Sequence, residues 1–260
     1  MKQAGFPPIW VVNLARSSER RAHIHRHLQA LGLPFEIVPA IDGATLGPAD
    51  LATVYDPRQA VASLGRELTP GEIGCALSHL RLYRRMVDED IEAALILEDD
   101  AQPGPALCRL LAARADLPDD WEVVMLYHVD GQLSRWGRRH WVPGYRIGRF
   151  AHPAFSTLGY LVRRGAALKL LAQTLPLRAP IDHWTGGSLA AGLRLYGVDP
   201  LGIREAAPED TGGSIIAADR ERYWKQWGLP ELPAGLGLYL YRLKVWMIKR
   251  YRKYHPGKRL

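Results

Sequence analysis

Apolar residues open the chain in a pattern that predicts a strand, a helix and a second strand. The run IWVVNL at 9–14 is continuous, as in a strand buried on both faces. In the next segment Ile24, Leu28 and Leu31 recur at helical spacing and fall on one face. The run FEIVPAI at 35–41 predicts the second strand. A β-α-β beginning of this kind favours an α/β fold with a mainly parallel central sheet.

The most clearly marked helix is predicted at 70–87. Thr69 and Glu72 have the spacing of a capping box, and a proline occupies the first helical position. A buried strand is predicted next, at 93–97. The remaining predicted elements are strands at 121–129 and 155–163, helices at 105–115, at 164–171 and after the PID segment, and a long loop or irregular hairpin at 134–150.

Charge divides the chain into two parts. The net charge is +7, but residues 242–260 hold eight of the 34 Lys/Arg and no acid. Removing those eight leaves 26 basic residues against 27 acidic ones, so the rest of the chain is close to neutral. This distribution argues against a nucleic-acid-binding body. We expect one large domain at 1–230 and a basic tail at 231–260.

The tail has an amphipathic helical pattern. Its apolar positions fall on one side of a helical wheel, and most of its Lys/Arg fall on the other side or at the flanks; the apolar ones are Leu236, Leu240, Leu243, Met247 and Tyr251. Such a helix suits an anionic membrane surface. The alternative is a C-terminal helix that packs on the body with a solvated basic face.

Cysteine content and the N-terminus bear on the compartment. Cys75 and Cys108 are too few for a disulfide scaffold, which favours a reducing compartment. The apolar run at 9–12 follows two prolines and is short for a signal peptide, and no stretch reaches the ~18 apolar residues of a membrane span. We expect a cytosolic chain, or one bound to a membrane from the cytosolic side.

The strand predicted at 93–97 runs directly into three acids, Glu98, Asp99 and Asp100. Adjacent carboxylates repel and are costly to desolvate, so a positive partner is expected near them. Acids at the C-terminal end of a buried strand in an open α/β sheet suit Mn²⁺ or Mg²⁺ shared with a diphosphate. The alternative is a strand that ends in solvent with its acids capping the next helix.

The helix predicted at 70–87 presents Glu72, Cys75 and His79 on one side, beside its apolar stripe. Such a side can border a cleft, where His79 would donate to a phosphate or a sugar hydroxyl. The alternative for His79 is a half-buried histidine with satisfied hydrogen bonds. Gly71 and Gly74 weaken a helix, which suggests close approach of a ligand or of another backbone segment.

Three stretches, in this order, carry a resemblance to a known family: VVNLARSSERRAHIHRHLQALGLPFEIVPAIDG, LTPGEIGCALSHLRLYRRM and ALILEDDA. Together they resemble glycosyltransferase family 25, which includes lipooligosaccharide galactosyltransferases of Gram-negative bacteria. The resemblance implies a GT-A-like nucleotide-sugar-binding fold and inverting sugar transfer. It also implies a UDP-sugar donor, often UDP-galactose, a Mn²⁺-like cation, and a glycolipid or oligosaccharide acceptor at the cytoplasmic face of the inner membrane.

The resemblance also implies roles for individual residues. Glu98 and Asp100 would bind the metal, and Asp99 would help through the ribose or a metal-bound water. The other nucleotide-sugar-binding candidates are Asn13, Arg16, Arg20, Asp42, Glu72 and His79. Asp182, in the PID segment, would be the catalytic base, with His183 as the alternative base. Aspartate is also common at a helix N-cap, so Asp182 has a structural alternative.

Two other functions remain open from the sequence. A metal-dependent phosphoesterase or nucleotidyltransferase would use the same three acids, with His128, Asp130 or Asp182 as further ligands. A non-catalytic, membrane-associated adaptor is the second alternative, which the intact acids disfavour. Residues 205–216 depart from the family pattern, so no role is assigned to them.

Overall fold

The computed structural model describes residues 6–189, 192–213 and 216. Its strands are β1 Ile9–Asn13, β2 Glu36–Pro39, β3 Ala93–Glu98, β4 Ala101–Pro103, β5 Val123–Met125, β6 Arg139–Val142, β7 Tyr145–Arg149, β8 Gly159–Arg163, β9 Leu195–Asp199 and β10 Ile203–Glu205. Within this part of the chain, eight strands form one sheet in the order β2-β1-β3-β8-β5-β9-β7-β6, and β4 pairs with β10.

Strand direction in the large sheet is mostly uniform. β2, β1 and β3 are parallel neighbours, as are β5 and β9. β8 lies antiparallel between β3 and β5, and β7 lies antiparallel between β9 and β6. β8 and β7 therefore run against the other six strands. The prediction of an α/β fold with a mainly parallel central sheet is confirmed.

Helices cover both faces of this sheet. They are α1 Ser18–Ala30, α2 Pro48–Val54, α3 Pro57–Leu64, α4 Pro70–Asp88, α5 Pro105–Ala112, α6 Arg164–Thr174, α7 Ile181–Thr185 and α8 Pro208–Thr211. The side chains of β1 and β3 alternate between two cores. Trp10 and Ile96 pack in the core that contains α4 and α6, whereas Val11 and Leu97 pack in the core of α1 and α5. Burial on both faces explains the unbroken apolar runs of these strands.

The capping box of α4 forms as predicted. Thr69 Oγ1 accepts from the backbone N–H of Glu72, and the Glu72 carboxylate accepts from the N–H of Thr69. Farther along, Gly74 lies against Gly43, and a Cβ at either position would overlap backbone atoms of the other segment. The predicted close approach at Gly74 is therefore to another backbone segment. This contact holds the turn after β2 against the first turns of α4.

Several predicted elements differ in extent. The strand predicted at 121–129 is confined to Val123–Met125, because the N–H groups of Leu126 and Tyr127 both bond to the Gly159 carbonyl and interrupt the regular ladder with β8. Of the two alternatives for residues 134–150, the irregular hairpin is confirmed, with β6 and β7 paired antiparallel and an irregular register between His140 and Val142. Ser17 occupies the N-cap position of α1 but makes no side-chain cap.

The predicted tail at 231–260, with its amphipathic helix, lies outside the described residues. None of the helices in the described ranges is both long enough and apolar enough to cross a bilayer.

Candidate functional site

Parallel pairing of β1 and β3 brings their C-terminal ends together. The register places Val12 opposite Glu98, so Asn13 lies beside the acids that follow β3. Asn13 Nδ2 donates to Asp99 Oδ2 at 2.7 Å and to the carbonyl of Ser17 at 3.1 Å. Through these two hydrogen bonds, the buried Asn13 ties Asp99 to the loop that leads into α1.

Arg20 is the positive partner that the acids require. It lies in the first turn of α1, and its Nη2 is 2.8 Å from Asp99 Oδ1 and also pairs with Asp100 Oδ2. All three side chains are buried. One guanidinium therefore serves two carboxylates, so the group carries excess negative charge before Glu98 is included.

Asp100 is the least satisfied of these acids. Its Oδ2 pairs with Arg20, but its Oδ1 is buried with no hydrogen-bond partner among the described residues. Burial raises the pKa of Asp100 to about 7, and the charge of Glu98 adds to the increase while Arg20 opposes it. Burial likewise raises the pKa of Asp99, against the influence of Arg20. A cation at Oδ1 would lower the free-energy cost of ionising the buried Asp100 carboxyl.

Glu98 faces a different set of side chains. Its Oε1 accepts from Thr157 Oγ1, lies 3.8 Å from Cys75 Sγ, and lies 3.5 Å from His79 Nε2. Burial disfavours the Glu98 carboxylate, but His79 and Thr157 outweigh it and hold its pKa below the ordinary value. Burial, followed by the charge of Glu98, raises the pKa of the Cys75 thiol well above its usual range.

His79 belongs to a buried chain of polar side chains. Its Nδ1 is hydrogen bonded to the Tyr160 hydroxyl at 2.7 Å, and that hydroxyl is 2.6 Å from the Tyr83 hydroxyl. His79 is completely buried rather than half-buried. Its ring is therefore fixed from behind, with Nε2 directed towards Glu98.

The segment that holds Asp182 meets the same cluster. Burial and then the charge of Glu98 raise the pKa of Cys75 most, and the charges of Asp182 and Asp100 add to the increase, so Asp182 lies near this cluster. Asp182 lies inside the first turn of α7, whose N-cap is Pro180. The alternative that Asp182 is an N-cap is therefore wrong. His183 packs its ring on Phe155, and its Nδ1 is 3.2 Å from Ser188 Oγ.

A cavity of about 290 Å³ lies at the start of α1. It is lined by residues 16–20 on one side and 211–213 on the other. Arg16 pairs with Asp42, whose carboxylate also caps the turn at Gly43–Thr45. The cavity is therefore lined both by Arg16, which pairs with Asp42, and by Arg20, which pairs with Asp99 and Asp100. The first turn of α1 and the exposed Arg16 make this space attractive to an anion, whereas Glu19 in the same lining opposes it.

Glu72 has a structural task in this arrangement. It is 1% exposed, and its two oxygens accept from Arg66 Nη1 and Nη2 at 2.7 Å. It also caps α4, so the structure sets its carboxylate apart from the groups around Glu98. Its role in donor binding remains a prediction.

Sequence reasoning did not include Cys75 or Thr157 among the site residues. The helical spacing of Cys75 and His79 was the available signal for the first. Thr157 gave no signal, because its contact with Glu98 depends on the antiparallel insertion of β8 beside β3. The segment 211–213 was also missed, although two adjacent glycines at 212 and 213, both with positive φ, mark an unusual backbone.

Comparison with known proteins gives a consistent result. The sequence model of the family described as Glycosyltransferase family 25 (LPS biosynthesis protein) matches residues 6–185. A Glycosyltransferase 25 family member of Anopheles gambiae is 33% identical over 183 residues, which is 68% of this chain and 30% of that protein. Procollagen galactosyltransferase 2 of Homo sapiens is 29% identical over 188 residues, which is 69% of this chain and 30% of that protein.

The chain thus spans about a third of the length of the curated relatives it matches. Among solved structures, a glycosyltransferase involved in glycosylation of the major capsid of PBCV-1 aligns with 73% of this chain and 81% of its own, at 10% identity and a TM-score of 0.36. That TM-score is too low to support an argument about this chain.

Proposed function

Because the chain belongs to glycosyltransferase family 25, we propose that it transfers a sugar, with galactose as the first candidate, from a UDP-sugar to a glycan acceptor. The relatives named as galactosyltransferases motivate this choice of sugar. The observation that carries the proposal is Asp100, a buried carboxylate with one oxygen lacking a hydrogen bond, held by Arg20 next to the cavity at the start of α1.

The cavity suits the diphosphate of such a donor. The N-terminus of a 13-residue helix directs its dipole there and the exposed Arg16 adds positive charge, whereas the charge of Arg20 is already shared by Asp99 and Asp100. Asn13 positions Asp99, which leaves Asp99 the role of a support for the site. Asp42, at the other side of Arg16, is our candidate for the ribose or the base.

The acids fit a hard divalent cation, Mn²⁺ or Mg²⁺. Asp100 Oδ1 is the first ligand we assign, with Glu98 as the second, because these oxygens carry negative charge that Arg20 only partly offsets. Such a cation would offset the charge of the diphosphate leaving group. The residues of the chain then have to bind the donor, exclude water and accept a proton from the acceptor.

Asp182 is our candidate for that proton acceptor in an inverting transfer. Its charge adds to the raised pKa of the Cys75 thiol together with that of Asp100, which supports a position near the proposed metal ligands. His183 is the second choice, since its ring packs against Phe155 and Ser188.

Binding of UDP in the presence of Mn²⁺ tests the proposal. We expect UDP and Mn²⁺ together to raise the melting temperature by more than either alone, because a ligand that binds only the folded state stabilises it. Asp100→Asn should abolish this joint effect, whereas Asp119→Asn, at an exposed acid, should leave it unchanged. An equal response from the two variants would contradict the assignment.

Catalysis separates Asp182 from the binding residues. Asp182→Asn should keep the joint stabilisation by UDP and Mn²⁺. The rate at which UDP is released from UDP-galactose should fall by about 10²–10⁴-fold if the carboxylate acts as the base. Full activity in Asp182→Asn, with loss in His183→Ala, would move the role to His183.

The basic tail motivates a second part of the proposal. From the sequence, residues 236–260 would bind an anionic membrane surface, which would place the enzyme on the cytoplasmic face of the inner membrane, next to a lipid-linked acceptor such as a lipooligosaccharide. Replacing Lys249, Arg250, Arg252 and Lys253 by Glu should abolish co-sedimentation with phosphatidylglycerol vesicles, since each basic residue contributes about 1 kcal/mol. Unchanged co-sedimentation would refute it.

A further inference from the structure

Three side chains of different chemistry meet beside the proposed donor site. Cys75 and His79 lie one turn apart on α4, and Glu98 ends β3. Their Sγ, ring nitrogen and carboxylate oxygen atoms all lie within 4.8 Å of one another. The Sγ–Oε1 separation is 3.8 Å and the Nε2–Oε1 separation is 3.5 Å. Ligand atoms around a tetrahedral Zn²⁺ are separated by roughly 3.3–3.7 Å, given metal–ligand bonds of about 2.0–2.3 Å.

His79 is prepared to act as a ligand. It is 0% exposed, and its Nε2 has no hydrogen-bond partner among the described residues although it is directed at Glu98. Its Nδ1 is occupied by the Tyr160 hydroxyl, which continues to Tyr83. When a dication takes the place of the proton between Nε2 and Glu98, the remaining ring proton stays on Nδ1 and is donated to Tyr160, and the Nε2 lone pair faces the metal. This support by a second hydrogen bond is the usual arrangement of a metal-binding histidine.

We propose that Cys75, His79 and Glu98 form a binding site for a divalent ion of the Zn²⁺ class, separate from the hard cation assigned to Asp100. A thiolate, an imidazole and a carboxylate are a ligand set for Zn²⁺ or Co²⁺ rather than for Mg²⁺ or Mn²⁺, which prefer oxygen ligands only. On binding, the Cys75 thiol releases its proton to solvent and its sulfur lone pair forms the bond to the metal.

The electrostatic surroundings agree with this assignment. Acidic side chains surround the cluster: Glu98 lies 3.8 Å from Cys75 Sγ, and Asp100 follows Glu98 by two residues. The same negative charges attract a dication, which would compensate them. This assignment does not depend on the proposed sugar transfer; Glu98 is a ligand in both assignments, so the two cations would share its carboxylate.

Cobalt is the diagnostic probe, because a thiolate ligand to Co²⁺ produces a charge-transfer absorption that oxygen ligands do not. We expect the purified full chain, titrated with Co²⁺, to develop this band together with the visible bands of tetrahedral cobalt, and Zn²⁺ to displace both. Cys75→Ala should lose the band. Cys108→Ala, the matched control at a thiol that lies against the Leu31 carbonyl, should keep it.

A conservative variant tests the support of His79. Tyr160→Phe removes only a hydroxyl, and it should weaken Zn²⁺ binding by about 10-fold or more while the cobalt band remains. Melting temperatures without metal verify that each variant is folded. Absence of the band in the wild-type protein, or its survival in Cys75→Ala, would overturn the proposal and leave the three side chains as hydrogen-bond partners of one another.

Asp100→Asn distinguishes this site from the donor site. It should lose the joint stabilisation by UDP and Mn²⁺ and retain the cobalt band. Loss of the band in Asp100→Asn would place the ion at Asp100 and overturn the separate site, whatever the fate of UDP binding. Retention of UDP binding in that variant would contradict the proposed donor site and leave the zinc site in place.

Discussion

β3 and β5 point the same way, so the acids that follow β3 and the acids that precede β5 lie at opposite ends of the strands of one sheet. We call the first place the β3 edge and the second the β5 edge. Asp120 and Glu122, at the β5 edge, are well supplied with donors. Asp120 accepts from the Tyr196 hydroxyl at 2.7 Å and pairs with Arg149, and Glu122 pairs with Lys169 at 2.7 Å. At the β3 edge, the described residues supply one cation, Arg20, for two buried acids.

The two clusters differ in the direction of their pKa shifts. The hydrogen bond from Tyr196 and the ion pair with Arg149 hold the pKa of Asp120 below its ordinary value. Burial raises the pKa of Asp100 to about 7. Acids that serve the fold are satisfied within the chain, whereas acids left short of partners in a buried place are candidates for binding a ligand.

Removing the single cation of the β3 edge should have the largest effect. Arg20→Met leaves Asp99 and Asp100 buried without a positive partner, so we expect the free energy of unfolding at pH 8 to fall by about 3–5 kcal/mol. Urea denaturation measures it. Arg21→Met, at the exposed neighbour on the same helix, is the control and should change little. Equal losses in the free energy of unfolding of the two variants would contradict a stabilising role for the ion pairs of Arg20 with the buried acids.

Neutralising Asp100 should act in the opposite direction. The folded-state pKa of about 7 exceeds the ordinary value of 3.8, so the folded protein holds a proton that the unfolded chain has released. In metal-free wild type, stability is therefore lost as pH rises from about 4 to 7. Asp100→Asn should escape this loss and gain up to about 4 kcal/mol at pH 8, with no gain near pH 3. Urea titrations at both pH values check this; a loss at pH 8 would contradict it.

The same change at the β5 edge should have the smallest effect. Asp120→Asn removes an exposed, paired charge, so we expect a loss of at most about 1 kcal/mol at pH 7, smaller in high salt. The sign is reversed from Asp100: a lowered pKa gives stability that is present above the ordinary value and is lost as pH falls through the folded value. An increase in the free energy of unfolding of Asp120→Asn at pH 8 would contradict the expected difference between the two edges.

Local signals carried much of the fold. The continuous runs of β1 and β3, the helical spacing in α1 and the capping box of α4 each act over a few residues, and each formed where predicted. The strand predicted at 121–129 was too long, because its apolar character continues past the point where two successive N–H groups, of Leu126 and Tyr127, bond to one carbonyl of β8 and end the regular ladder. Apolar residues record burial, and burial does not require a strand.

The sequence by itself determined the alternation of buried strands and helices, the cluster of acids at 98–100 and the one-sided charge of the tail, because these depend on neighbouring residues. Only the tertiary structure decided that Arg20 meets two of those acids while Glu98 turns to Cys75 and His79. That separation follows from packing α1 and α4 on opposite faces of β3, so the end of one strand meets a different partner on each side.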